Sequence, residues 1–395
     1  MLILVFAAQL AALVVICARL APGRHRLPEV EPDESGESAG DTTVTVVVPA
    51  RNEATRITPC LDGLRAQRAP LTEVIVVDGH STDATPAIVR AAAQRDPRVR
   101  MLEEPVRPAG CVGRPWAIAA GCAQARGEWV MVVDADTAPR AGMVAGAVAA
   151  ANRLGLDAVS FAPRILAPAP GARWLQPSLL TTLVYRFGAA GLTDADPERV
   201  MANGQCMLMR RDVLQRAGGY GVADDSFCDD IRVARHLASA GAHVGFLDGP
   251  RLLDVTMYPT ARETWRAWPP SLHMRDATRL RWRWFDAVVL LLAQALPIPL
   301  LLLLALTGRF RAPHGVVAAI LAVNGGLLLV RVLLGFATAH SFGGRGVPYW
   351  LAPLADPFTV PRVIWTMIAS PREWRGTPRD AGGAMHAHTV HGAMS

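Results

Sequence analysis

The chain has 395 residues, 51% of them apolar, and a formal charge of +6 from 40 basic and 34 acidic side chains. Every basic residue is arginine, and these are scattered along the chain, which argues against a nucleic-acid partner. A mean hydropathy of +0.24 is too high for an ordinary soluble domain, so membrane segments are expected beside one large domain.

Leu2–Leu20 is an almost unbroken apolar run, close to the length that crosses a hydrocarbon core of about 30 Å. It has no basic stretch before it and no small-x-small cleavage pattern after it, so it reads as an uncleaved anchor over residues 1–21. Residues 22–41, rich in Pro, Gly, Ser and acidic side chains, read as a flexible linker. From 42 to 285, short valine-rich runs (Thr43–Val48, Val74–Val77, Val99–Leu102 and Trp129–Val133) alternate with helical stretches. That rhythm predicts an α/β domain with a mostly parallel sheet flanked by helices, binding its ligands beyond the carboxyl ends of the strands. The six cysteines (Cys17, Cys60, Cys111, Cys122, Cys206 and Cys228) lack the short paired spacing of zinc sites or redox dithiols and read as buried thiols in a reducing compartment.

Polar residues crowd those strand ends. Pro49-Ala50-Arg51-Asn52-Glu53 follows the first strand and Asp78-Gly79-His80-Ser81-Thr82-Asp83 the second; one of Ser81, Thr82 and Asp83 is expected to cap the next helix. The fourth strand ends in Asp134-Ala135-Asp136. Residues two apart in extended chain face one side, and two hard oxygen ligands there suit Mg²⁺ or Mn²⁺ completed by the oxygens of a diphosphate. Later, Asp229-Asp230 opens the helical stretch Asp229–Ser239, where helix capping is the simpler use of one carboxylate.

With VVVPARNE, VIVVDGHSTD, WVMVVDADT and a later acidic pair in this order, the chain resembles family 2 glycosyltransferases of the Rossmann-like GT-A fold, from about Thr43 to Asp276. The resemblance implies that Pro49, Arg51 and Glu53 line the donor nucleotide, that Asp78 contacts its base, and that Asp134 and Asp136 hold a divalent metal on the diphosphate. Asp230 is the candidate general base of an inverting transfer. Many members have Glu-Asp where this chain has Asp229-Asp230. Gly110–Ala117 is similar to a Gly-Trp-x-Gly-Lys stretch of lipid-modifying members with arginine for lysine, which puts Arg114 near donor phosphate or sugar. Asn203, Gln205 and Asp229 fall on the acceptor side, Asn203 and Gln205 with turn chemistry as their alternative.

Trp174–Tyr185 carries large apolar residues suited to a greasy acceptor, to the bilayer surface or to the core. Trp268, expected to contact the acceptor, sits with Trp265, Ser271, Leu272 and Asp276 just before the next apolar segment, where aromatic side chains favour the membrane interface. Two further spans are expected within 286–337, Ala287–Leu306 and Val316–Phe336, while Val347–Ile368, in the tail 338–395, reads as interfacial or re-entrant. Arg19, Arg24, Arg26 and Arg275, Arg279, Arg281, Arg283 place the domain in the cytoplasm on the positive-inside rule, with Arg309 and Arg311 outside. The chain is thus expected in the inner membrane.

Thr278-Arg279-Leu280-Arg281-Trp282 lacks the glutamine of the Gln-x-x-Arg-Trp motif of processive synthases, favouring transfer of a single hexose. The N-terminal anchor, Trp268-Pro269-Pro270-Ser271-Leu272, the paired late spans and Glu373-Trp374-Arg375-Gly376 are similar to glycosyltransferases acting on carotenoids. The expected partners are a nucleotide-sugar donor, a lipid acceptor and the bilayer. Polyprenyl phosphate is the alternative acceptor, and a scaffold that keeps the fold without chemistry the alternative of another class.

Overall fold

A computed structural model describes residues 2–193, 196–272, 274, 277–308, 315–369, 373–374 and 377–378. Arg275, Asp276, Arg309, Arg311, Arg375 and Gly376 therefore lie outside the described residues. After an N-terminal helix, α1 (Leu2–Leu20), strands and helices alternate: β1 (Val44–Ala50), α2 (Ile57–Arg65), β2 (Leu71–Asp78), α3 (Thr85–Arg95), β3 (Val99–Glu103), α4 (Gly113–Gln124) and β4 (Trp129–Val133). The chain continues through β5 (Thr137–Pro139), α5 (Met143–Leu154), β6 (Ala158–Ala162), β7 (Arg164–Leu166), α6 (Pro170–Phe187), β8 (Cys206–Arg210), α7 (Arg211–Arg216), α8 (Asp229–Ser239), β9 (Val244–Asp248) and β10 (Leu253–Val255).

Seven strands form the main sheet in the order β3-β2-β1-β4-β8-β6-β9. All neighbours are parallel except β8, which runs against both β4 and β6. Its parallel half is covered on both faces, which is why β4, and β1 apart from Thr45, are continuous apolar runs instead of alternating ones. Val44, Val46 and Val48 turn towards Ile57, Leu64 and Met143 of α2 and α5. Val47, Ile75 and Val77 turn the other way, towards Ile118 of α4 and the Val233 and Leu237 of α8. A smaller sheet, β11-β7-β10-β5, is completed by β11 (Phe342–Gly343).

The C-terminal part is helical: α9 (Ala261–Leu272), α10 (Leu280–Leu290), α11 (Pro297–Leu306), α12 (Val316–Ala337), α13 (Gly346–Trp350) and α14 (Asp356–Ile368). Among the described residues two helices are long and apolar enough to cross a membrane, the first from Leu2 through the short turn to His25 and the second α12. The expected span Ala287–Leu306 is not one straight helix. A π turn over Leu291–Ala295 joins α10 to α11 with a 44° bend, where Pro297 lacks the N–H that would continue the ladder. Within Val347–Ile368 the longer helix, α14, has 13 residues, short of the roughly 20 needed to span. α6, which contains Trp174–Tyr185, is mostly buried and packs as core.

The stretch 22–41 differs from the expected linker. Val30 is buried and its N–H reaches the Asp248 carbonyl at 2.8 Å, Asp33 N–H reaches Gly142, and Leu27 N–H reaches Gly191. Its polarity is satisfied locally: the Asp33 carboxylate accepts from Ser35, Gly36 and Ser38 and is held down to about 2, first by the Ser35 hydroxyl.

Polar seams stitch the apolar helices. Gln9 of α1 and Asn324 of α12 exchange two hydrogen bonds of 2.8 Å. Arg331 of α12 meets Asp356 at the start of α14 at 2.7 Å, and Gln294 and Ser178 also donate to that carboxylate. Removing one member of such a buried pair strands the other, at a cost of about 3–5 kcal/mol, whereas replacing both by apolar groups is far milder. Asp356→Ala should therefore lower the melting temperature in detergent sharply, and the double variant Arg331→Met, Asp356→Leu should recover most of the loss; a single variant as stable as the unaltered chain would remove the pair from the folding energetics.

Candidate active site

The loops after β1 and β2 are tied to one another. Asn52 adopts a left-handed conformation at φ 56°, its N–H donates to the Ser81 hydroxyl at 2.9 Å, and its side-chain oxygen accepts from Thr82 N–H at 2.8 Å. Glu53 N–H donates to Thr85 Oγ1, and Asp83 accepts from the N–H groups of Ala54 and Thr85. Asp83, one residue before the N-cap Ala84, is thus the one of the trio that satisfies the first N–H of α3, and the Thr85 hydroxyl holds its carboxyl below the ordinary range. Asp78 is buried: one carboxylate oxygen accepts from Ser81 N–H at 3.2 Å and the other has no hydrogen-bond partner among the described residues. A buried acceptor left in that state favours a donor from a ligand.

Pro49 lies in β1 beside Val77, and Arg51 is exposed in the turn that follows. Arg56, which sequence reasoning passed over, bridges two predicted residues, standing 2.7 Å from the Glu53 carboxylate and 3.8 Å from that of Asp136.

A second cluster centres on Arg114 in the first turn of α4. Two of its nitrogens donate to one oxygen of Asp134 at 2.8 and 3.0 Å, a third donates to Asp229, and the Gly204 carbonyl accepts at 2.7 Å. Burial works against this guanidinium's charge, but Asp134 and Asp229 outweigh it and raise the pKa well above its ordinary value. Tyr220, a residue not singled out from sequence, donates to the same Asp229 oxygen at 2.8 Å. Asp229 is therefore turned inward, as the anchor of Arg114. The one weak signal for Tyr220 was the Gly218-Gly219 turn before it, in which both residues have positive φ.

Asp230, the next residue, points elsewhere. Gly204 N–H donates to it at 2.7 Å and Ile231 N–H at 2.9 Å. Loss of water pushes its carboxyl up to about 7, with the Asp229 charge adding and Arg114 opposing.

Asn203 is absorbed in turn chemistry: its side-chain oxygen accepts from Gln205 N–H, and its backbone exchanges hydrogen bonds with the Ser160 hydroxyl. The Gln205 carbonyl accepts from Asp134 N–H at 3.2 Å, which fixes the start of the Asp-x-Asp turn. Trp268 is not brought to this cluster. It is buried beside Tyr258, among apolar residues of α6, α9 and α14, so its bulk is spent on packing.

Among the described residues no three or more His, Cys, Asp or Glu side chains form a metal cage. Asp134 and Asp136 supply hard oxygens at one strand end, but Asp134 is shared with Arg114. Such a set fits a divalent cation that takes its remaining ligands from phosphate and water, and does not fit a cation held by protein alone.

Residues 45–218 match the family model described as Glycosyl transferase family 2. The chain is similar in fold to the mannosyltransferase PcManGT from Pyrobaculum calidifontis in complex with GDP-Man and Mn²⁺, at 23% identity over 90% of this chain and 97% of that one, with a TM-score of 0.51. Weaker likenesses are to S. aureus TarS 1–349 in complex with UDP-GlcNAc (18% identity, 79% and 91% covered, TM-score 0.41) and to mannosyl-3-phosphoglycerate synthase from Rubrobacter xylanophilus (19%, 64% and 81%, TM-score 0.42). Comparison with the curated proteins finds no match.

Tyr220→Phe keeps the ring and removes one hydrogen bond to a charged carboxylate, which is worth about 1.5–3 kcal/mol. Its denaturation midpoint in detergent should fall accordingly; an unchanged midpoint would take Tyr220 out of the clamp.

Proposed function

We propose, on the premise that this chain is a glycosyltransferase carrying a family 2 domain at residues 45–218, that it transfers a single hexose from a nucleotide sugar to a lipid with inversion, Asp230 acting as general base. The observation that carries this reading is the state of that carboxylate. It is hydrogen-bonded by Gly204, lies beside the ends of β4 and β8, and has a pKa of about 7, near that of an effective base at neutral pH.

The acceptor hydroxyl gives its proton to Asp230 as its oxygen attacks the anomeric carbon, while the bond from that carbon to the diphosphate breaks on the opposite face. Asp78 accepts from the nucleotide base through its unpartnered oxygen, and Pro49, Arg51 and Glu53 line the nucleotide. Arg114, anchored by Asp229, holds Asp134 in place and serves the donor phosphate or sugar. Asn203 and Gln205 shape the acceptor side. Asp136, with Asp134, would hold Mg²⁺ or Mn²⁺, whose charge offsets that of the departing diphosphate; the Mn²⁺ of the fold-related mannosyltransferase supports this.

The two long apolar helices support membrane anchorage. Arg19, Arg24 and Arg26 at the end of the first, and Arg279, Arg281 and Arg283 at the start of the bent pair, favour a multi-pass protein of the inner membrane with the transferase domain cytoplasmic. We take a carotenoid as the acceptor on the resemblance noted above, with a glycolipid as product.

Asp230→Asn should reduce transfer by about 10²–10⁴-fold in membranes supplied with donor and lipid while donor binding persists. Retained activity would remove Asp230 from the base role. Because the base must be ionised, kcat/KM of the unaltered enzyme should rise with pH through about 7. A profile flat from pH 5.5 to 8.5, about 1.5 units to either side, would contradict a base of raised pKa. Asp136→Asn should abolish the metal dependence of donor binding, measured by calorimetry with and without Mn²⁺. Turnover of polyprenyl phosphate in place of a hydroxylated carotenoid would overturn the acceptor.

A further inference from the structure

Away from this site, arginines concentrate where the short turn Pro197–Arg199, α8 and the start of α10 meet. A cavity of about 250 Å³ there is lined by Phe187, Arg199, Arg235, Thr278, Arg279 and Trp282. Its carboxylates are already engaged: Asp286 pairs with Arg19 at 2.6 Å and lies 3.6 Å from Arg186, and Glu198 pairs with Arg279. Arg199 and Arg235 have no carboxylate within ion-pair distance among the described residues. They donate instead to backbone carbonyls, Arg199 to that of Arg186 and Arg235 to those of Val200 and Ala277.

Three guanidinium groups, of Arg186, Arg199 and Arg235, gather on the single ring of Phe187 at 4.8, 5.9 and 5.8 Å. Like charges gathered round one ring repel unless an anion joins them. Burial lowers the pKa of all three, that of Arg235 to about 10 with the charges of Arg186 and Arg199 adding to the effect. Two donors in the cavity wall, a terminal nitrogen of Arg235 and the Thr278 hydroxyl, are buried without a hydrogen-bond partner among the described residues. The cavity thus offers positive charge, planar forks and unused donors together, which is the chemistry that binds phosphate oxygens.

The neighbourhood also indicates where the phosphate comes from. α10 leaves the cavity towards the apolar helices, and Trp284, Val288 and Leu291, spaced four and three apart on one face, are 49%, 53% and 45% exposed. Trp282, half-buried at the mouth, is the kind of side chain that settles at the headgroup level. Arg235 follows Asp230 by five residues on α8, about 7.5 Å along the axis and about 140° around it, so the cavity opens on a different face from the base. We propose that the cavity binds the phosphate of an anionic membrane lipid whose tail lies along the Trp284–Val288–Leu291 face, separate from the acceptor site.

The test is native mass spectrometry of the full chain in detergent, without nucleotide sugar, offered phosphatidic acid, phosphatidylcholine or inorganic phosphate. Because no transfer can occur, the outcome is independent of the activity proposed above. Phosphatidic acid should be retained in preference to phosphatidylcholine, and Arg235→Gln should weaken its retention about ten- to a hundredfold, the effect of one charge-assisted hydrogen bond. If that variant fails to fold, Thr278→Val, which keeps the side-chain shape and removes the unused hydroxyl, decides the question with a loss of about fivefold. Equal retention of the two lipids, or undiminished retention by the folded variants, would overturn the proposal. Release of phosphatidic acid by an equal concentration of inorganic phosphate would assign the cavity to soluble phosphate and overturn the lipid source.

Discussion

One arginine holds the centre of this molecule together. Arg114 reaches from the first turn of α4 to the end of β4, to the second residue before β8 and to the start of α8, satisfying two carboxylates and a carbonyl at once. Without a cation there, Asp134 and Asp229 would face one another partly shielded from water, a repulsion that neither helix nor sheet could absorb. Lysine could supply the charge but not the fork that reaches three partners in different directions. Gly204 is part of the same constraint: a Cβ on it would lie 2.6 Å from the guanidinium, so the approach that lets its carbonyl accept from Arg114 is open only to glycine.

The reversed strand explains why such distant residues meet. Parallel strands deliver their carboxyl ends to one edge of the sheet, which gathers the segments after β1, β2 and β4. β8 runs the other way, so its beginning lies at that same edge, with Cys206 paired to Val133. Gly204 is thereby set beside the Asp-x-Asp turn, and its N–H and C=O serve opposite partners, Asp230 and Arg114. A parallel strand in that position would have carried these groups to the far edge.

Much of this was legible before any coordinates. The valine runs named four strands to within two or three residues at each end, because burial on both faces demands continuous apolar sequence. The polar strand ends, the Asp-x-Asp and the acidic pair were visible for the same geometric reason. What stayed hidden depended on direction. Adjacent carboxylates at a helix start cannot be told apart in sequence, yet Asp229 turns inward to Arg114 and Tyr220 while Asp230 turns to Gly204. Arg56 was one arginine among many until the fold set it between Glu53 and Asp136. Trp268 carried an aromatic signal that interface and core share, and only packing distinguished them. The stretch 22–41 was polar enough to suggest a free linker, because composition does not reveal that Asp33 satisfies its neighbours locally.

The Arg331–Asp356 pair bears on how the chain is assembled as it is made. Arg331 belongs to a helix apolar enough to enter a bilayer, and its partner follows 25 residues later. An arginine at mid-helix costs about 2.5–3.5 kcal/mol on insertion scales, and Arg331, displaced from the middle of α12 towards its end, costs less, a penalty the surrounding leucines and valines outweigh. On the proposed topology α12 therefore enters first, carrying an unneutralised charge, and α14 docks afterwards by bringing the carboxylate to it. The pair then acts as a latch, closing the helical layer only once translation has passed Asp356.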